Sequence, residues 1–251
     1  MKISQRLQQI DRMIHGHYDH IWDCCCDHGL LGMLLLQRNA AKKVHFVDCV
    51  MPLMQQLSIE LQRFFPQHEE SAAATLGASI CQSQWQVHCH DAAALPLESS
   101  DIQANHLIII AGVGGELLVE LVRSILARHS HRRLEFILCP VHHNYYVRSS
   151  LVELGLVLKS ELLLEENQRF YEILHLRHAK GSSSKKEDDI QLSCTGSIMW
   201  QGLNEDKKRQ AKRYLMQTIG HYQRIPESRL PNKLPILAAY QQILQQLNDG
   251  G

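Results

Sequence analysis

The sequence predicts an α/β fold: a seven-stranded, mostly parallel sheet closed by an antiparallel hairpin and followed by a two-helix tail. Three observations predict it. Short strand-like runs alternate with segments of helical period, two apolar runs then face each other across a polar turn, and a small, charged stretch separates them from two amphipathic stripes.

Ile3, Leu7, Ile10 and Ile14 recur at helical spacing and predict an N-terminal helix ending near Gly16. Strand-like runs follow at 20–25, 43–48, 85–90, 106–111 and 134–139, with helical segments such as 30–37, 51–64 and 116–128 between them. That alternation requires crossover connections, and hence parallel pairing. Residues 141–154 supply one more helix, and the runs 156–162 and 170–176 close a hairpin around the polar turn 165–169. Residues 181–190 are small, polar and charged and read as a linker between a sheet domain, 1–180, and a helical C-terminal region, 191–251. In that region Ala211, Leu215, Thr218, Ile219 and Tyr222 trace one helical stripe. Ile236, Tyr240, Ile243, Leu244 and Leu247 trace another, beyond Pro226 and Pro231. Residues 66–84 keep no period and read as an insertion.

A chain of 251 residues, 45% hydrophobic, can bury a full core. Equal numbers of basic and acidic residues leave no global attraction to a polyanion, so any nucleic-acid contact rests on local patches. The basic run Lys207, Lys208, Arg209, Lys212 and Arg213 is one such patch, although Glu205 and Asp206 adjoin it as on any solvated helix face. No apolar run near the N-terminus suits a signal peptide or a membrane span, and the eight cysteines lack the spacing of a secreted disulfide framework, so the expected compartment is the cytoplasm.

In an open parallel sheet, ligands bind at the C-terminal ends of the strands. The first strand ends in Asp23-Cys24-Cys25-Cys26-Asp27-His28-Gly29 and turns straight into a helix, whose N-terminus can hold an anion. Only Gly29 and Gly32 punctuate that turn, so the pyrophosphate-cradling G-x-G-x-x-G of nicotinamide and flavin enzymes is missing. A compact methionine carboxylate, as in S-adenosyl-L-methionine, requires less of the loop, and Asp23 or Asp27 suits the adjoining amino group; alternatively, Asp27 simply caps the helix. Asp48 ends the second strand, where an acid accepts from ribose hydroxyls, and Asp91 ends the third, where a carboxylate accepts from an adenine amine. The fourth strand runs into Ala111-Gly112-Val113-Gly114-Gly115, either a platform for an acceptor base or a flexible turn. Cysteine and histidine also gather at strand ends, among them Cys139, His142 and His143. Without a C-x-x-C pair they predict a thiol-rich rim rather than a metal site, and no metal is expected.

The ordered motifs DCCCDHGLLG, HFVDCVMP, HDAAALP, IIIAGVGG, ILCPV and EENQRFYEILHL resemble the bacterial TrmK family, which methylates N1 of the adenine at position 22 of tRNA. The resemblance runs from about Ile3 to Leu176 and implies the Rossmann-like fold of class I methyltransferases, with S-adenosyl-L-methionine as cofactor and tRNA as partner. The family's acid-x-Gly-x-Asp-His turn falls on Asp23 to His28, with Cys25 in place of the glycine; its later acids fall on Asp48 and Asp91, and its I-A-G-M-G-G on Ile110 to Gly115. The resemblance thus implies Asp23, Cys25, Asp27, Asp48, Asp91, Ala111 and Gly112 for the cofactor and base pocket; for catalysis, the carbonyls around Ala111 and Gly112 are expected to engage the exocyclic amine, with Asp27 or His28 lining the methyl path. Cys139 and Val141 replace the Gln and Asn of the family's Q-P-N motif. A methyltransferase with another acceptor, and a non-catalytic RNA- or protein-binding module, stay open as alternatives.

Overall fold

The computed structural model describes residues 3–67, 84–179, 190–231 and 233–249. Its strands are β1 (Tyr18–Cys24), β2 (Ala41–Asp48), β3 (Gln84–Cys89), β4 (His106–Ala111), β5 (Leu134–Cys139), β6 (Leu156–Glu166) and β7 (Arg169–His178). Its helices are α1 (Gln5–Met13), α2 (Leu30–Gln37), α3 (Met51–Phe64), α4 (Gly115–His129), α5 (Asn144–Glu153), α6 (Glu205–Arg224) and α7 (Lys233–Asp249). The sheet order is β3-β2-β1-β4-β5-β7-β6, parallel through β5 and antiparallel where β7 joins β5 and β6. This is the seven-stranded sheet with a closing hairpin that the alternation predicts.

Boundaries differ from the expected ones where tertiary pairing extends or trims the local pattern. β1 begins at Tyr18, whose hydroxyl donates to Glu135 at 2.6 Å, and β2 begins at Ala41, opposite Tyr18 in register. α5 begins at Asn144 rather than Val141, because His143 holds a left-handed φ of 63° and caps the helix from outside it. The hairpin is longer than expected. Its strands meet at a two-residue turn, Asn167-Gln168, with φ values of 51° and 63°, as the right-handed strand twist requires. The insertion expected at 66–84 lies mostly outside the described residues. So does the linker expected at 181–190, except Ile190, which bridges to Leu158 of β6.

Apolar residues on each face of the sheet form separate cores. Trp22, Val47, Ile108, Ile110 and Leu138 pack with α4 and α5 on one side, and Ile21, Val44, Phe46, Leu107 and Ile109 pack with α1, α2 and α3 on the other. Both tail stripes are buried in a third core, where Leu215, Ile219, Tyr240 and Ile243 meet Leu163 of β6. That cluster seats the tail on the hairpin.

A buried charge network joins the same parts. Arg148 of α5 donates to Glu172 of β7 at 2.5 Å, to Glu161 of β6 at 2.7 Å and to the Ser193 carbonyl at 3.0 Å. Glu161 in turn accepts from the backbone of Ser197 and Met199, and the Tyr214 hydroxyl of α6 donates to Glu172.

Candidate active site

The acids expected at the strand ends sit along one rim. Cys25 follows β1, half-buried; burial first, then Asp48, Cys49, Asp23 and Asp91, push its thiol up to about 11. It therefore stays a neutral thiol at physiological pH. Its backbone is left-handed, with φ at 56°, as is that of Asp27 at 50°. Glycine adopts that conformation without strain, whereas an L side chain costs roughly 1–2 kcal/mol there. Cys25→Gly is accordingly expected to raise stability by about 1 kcal/mol, measured as an upward shift of the urea midpoint with an unchanged slope.

Asp23 is buried beneath the turn. One carboxylate oxygen accepts from the Gly32 amide of α2 at 3.0 Å, and burial pushes the group up to about 7 despite that bond. The expected alternative for Asp27, capping α2, does not hold. The cap is Gly29 in a left-handed conformation with no side-chain bond, and Asp23 holds the helix start instead. The Asp27 side chain is exposed, 3.6 Å from His28, and its backbone N–H donates to Asp48 at 3.2 Å. Asp48 also accepts from Val50 at 3.1 Å, so each of its oxygens keeps a further lone-pair position. Asp91 accepts from the Ala93 amide through one oxygen.

Across from these acids, Ala111 and Gly112 end β4. Gly112 has φ at 90°, and its amide donates to the Cys139 carbonyl at 3.0 Å. A cleft of about 200 Å³ lies between, lined by Asp23, Cys25, Asp27, His28, Ala111 and Gly112, so the structure brings these expected residues together. Asp48 and Asp91 stand at its Cys25 side.

One lining residue escapes the sequence reading. Arg6 of α1 places its guanidinium 3.3 Å from where a Gly112 Cβ would lie and 5.1 Å from the Tyr171 ring centre. On the sequence it is one polar position of an amphipathic helix. Only the docking of α1, tied to β6 through Gln5 and Glu166 and to the end of α2 through Arg38 and Asp11, aims it at the cleft. A larger cavity, about 450 Å³, opens beyond Tyr171 between the β5–α5 loop, the hairpin turn and both tail helices; it contains none of the strand-end acids.

Residues 3–174 match the family model described as a methyltransferase domain. The chain belongs to that family. No curated protein sequence matches it. Among known structures it is similar to the B. subtilis m1A22 tRNA methyltransferase TrmK, with 21% identity, 98% of each chain covered and a TM-score of 0.66. It is also similar to M. capricolum TrmK in complex with S-adenosyl-homocysteine, with 17% identity, 99% of each chain covered and a TM-score of 0.64. Similarity to the magnesium protoporphyrin IX methyltransferase of Synechocystis, crystallised with bound SAM, is confined to 70% of this chain and 79% of that one, at 13% identity and a TM-score of 0.50. These likenesses extend to the fold.

Of the cysteines expected to form a reactive rim, Cys24, Cys26 and Cys139 are buried and pack as small apolar groups, and burial pushes all three thiols up, Cys139 to about 12. Cys49 and Cys89 are exposed. The tail's basic run is partly neutralised, Arg209 by Asp206 and Arg213 by Glu165. No helix among the described residues is long and apolar enough to cross a membrane.

Proposed function

We propose that the protein transfers a methyl group from S-adenosyl-L-methionine to N1 of an adenine in tRNA, in the cytoplasm. The observation that carries the reading is the placement of Asp23, Asp48 and Asp91 at the C-terminal ends of β1, β2 and β3, beside a cleft lined by Asp23, Cys25, Ala111 and Gly112, in a methyltransferase-family domain. The likeness to two TrmK structures, one of them an m1A22 tRNA methyltransferase, supports the acceptor. Residues 1–180 form the cofactor domain in this reading, and residues 191–251 help engage the RNA.

The residues present fit the cofactor. Asp48 and Asp91 retain acceptor positions for ribose hydroxyls and an adenine amine, and Asp23 or Asp27 for an ammonium group. Arg6 over Gly112 is the cation suited to a carboxylate. When bound, the cofactor supplies a methyl group activated by a sulfonium. Neutral adenine attacks through an in-plane lone pair and needs no prior deprotonation, so the protein's task is positioning and electrostatic support. Backbone carbonyls at Ala111 and Gly112 accept from the exocyclic amine, and Asp27 or His28 lines the methyl path, the Asp27 carboxylate being the group suited to offset the positive charge that grows on the base. A base stacked in folded tRNA must be exposed before it reaches this rim. Cys139 is fully buried at the position of the family's Gln, so the acceptor contact drawn from that motif has to come from elsewhere.

The test is transfer of labelled methyl to tRNA lacking the modification, followed by nucleoside analysis, with Asp48→Ala beside wild type. N1-methyladenosine is expected with wild type, and a loss of roughly a hundredfold with the variant, in line with about 3 kcal/mol for hydrogen bonds to a charged group. Label on a different base overturns the acceptor. Cofactor binding without transfer to tRNA overturns the substrate and leaves the fold and donor site standing.

A further inference from the structure

Beyond the cleft, one cluster of ligating side chains has no part in the proposed reaction. Glu116, in the first turn of α4, faces His142 and His143 of the β5–α5 loop, and one ligand atom from each lies within 4.8 Å of the other two. The His143 Nδ1 is hydrogen-bonded to one carboxylate oxygen, and the His142 Nδ1 stands 3.9 Å from the other. The two imidazoles meet edge to face with ring centres 4.3 Å apart. We propose that Glu116, His142 and His143 form a binding site for a divalent first-row transition metal of the zinc class.

The donor set sets the class. Two imidazoles and one carboxylate suit zinc, cobalt and nickel, whereas magnesium and calcium demand oxygen ligands throughout. Zinc–nitrogen bonds of about 2.0–2.1 Å put tetrahedral ligand atoms about 3.3 Å apart, so closing the site draws the His142 ring toward the carboxylate, now 3.9 Å away, and moves the His143 ring back from it. The side chains can make both movements, since all three are at least half exposed.

The backbone beneath them is already fixed. Val141 N–H donates to the Val113 carbonyl and Val147 N–H to the His143 carbonyl, both at 3.0 Å. The loop also lies directly on the start of α4. A Cβ at Gly115 would come within 2.8 Å of the His142 carbonyl, and one at Gly114 within 3.0 Å of the His142 ring, so glycines at both positions let the histidines approach Glu116. Three protein ligands leave outward coordination positions open to water or an oxyanion. The positive end of α4 opposes a cation, which places the expected affinity in the micromolar range rather than the nanomolar one.

Titration of the full chain with Co²⁺, followed by visible absorption, tests the site. Wild type is expected to take up one equivalent with a Kd of about 1–10 μM, giving d–d bands of a nitrogen- and oxygen-ligated ion without thiolate charge-transfer absorption. Glu116→Gln is expected to weaken binding about tenfold, and His142→Ala with His143→Ala about thirtyfold or more. Unaltered circular dichroism and thermal midpoints for these exposed substitutions separate lost ligation from lost folding. Equal cobalt uptake by wild type and the double-histidine variant overturns the site, as does a spectrum dominated by thiolate charge transfer, which places the metal on the cysteines instead. No uptake by wild type at millimolar cobalt overturns it outright.

Discussion

Replacing Arg148 with alanine is expected to destabilise the protein by about 3–5 kcal/mol, the usual consequence of stranding buried charge. Arg148 and Glu172 are fully buried, and Glu161 nearly so. The guanidinium is the cation facing both carboxylates, and they hold its pKa well above the ordinary value despite the burial. Removing it leaves two anions with no water to receive them. At roughly 2–4 °C per kcal/mol for a chain of this size, the thermal midpoint is expected to fall by about 10 °C. The control is the triple exchange Arg148→Met, Glu161→Leu and Glu172→Leu, which removes all the charge at once; partial recovery of the midpoint relative to Arg148→Ala separates an electrostatic cause from a mere packing defect. A midpoint within 2 °C of wild type for Arg148→Ala would show that the carboxylates find other partners. Because Tyr214 and the segment around Ser193 hang on the same network, limited proteolysis of the variant is expected to cut first in the C-terminal region.

The second large effect is loss of stability in mild acid. Along β3, β2, β1 and β4, His88, His45, His20 and His106 form a lateral series across one face of the sheet. His45 bonds to His20 and to His88, both at 2.9 Å, and stacks on Trp22 with ring centres 3.7 Å apart, while Trp22 donates to His106 at 3.1 Å. Burial pushes His45 down to about 2, His106 to about 3 and His88 to about 4, with neighbouring imidazoles adding to it at His45 and His106 and Lys43 at His88. In the unfolded chain each titrates near 6.5. As pH falls below 6.5 the unfolded state gains protons that the folded state refuses, so the contribution is intact above that pH and is lost progressively toward 3. For the well-buried His45 and His106 it amounts to about 2 kcal/mol each at pH 5. Asp23 acts in the opposite sense: with its pKa pushed up to about 7, the folded state takes its proton first, and stability from this group grows as pH falls from 7 toward 4. A variant comparison cancels that term. In His45→Phe, the stability difference between pH 7 and pH 5, from urea titrations, is expected to shrink by about 2 kcal/mol relative to wild type. An unchanged difference would mean that His45 is protonated in the fold.

Much of this fold is legible in the sequence. The bounds of β4, β5, α2 and α3 follow from their apolar periods alone, since each element's burial is decided by its own residues. The strand-end acids are legible for a related reason: a parallel sheet delivers every strand's C-terminal end to one edge, so order along the chain becomes proximity in space. Arg148 and Arg6 are not legible, because a lone arginine on a helix reads as solvated and only the packing of distant elements decides otherwise. The histidines of the sheet posed the same difficulty. They alternate with apolar residues as surface positions do, and their neutrality is imposed by neighbours that lie on other strands. The left-handed turn at His143, which shortens α5, depends likewise on the carbonyl and amide partners offered by the β4–α4 loop.

The bonded histidines have one consequence of direction. A neutral imidazole carries a single ring proton, so if His45 gives its own to His20 it must receive one from His88, and if it gives to His88 it must receive one from His20. The three rings therefore share one polarity, like a short row of aligned arrows, and the choice of tautomer at the outermost strand fixes the choice two strands inward.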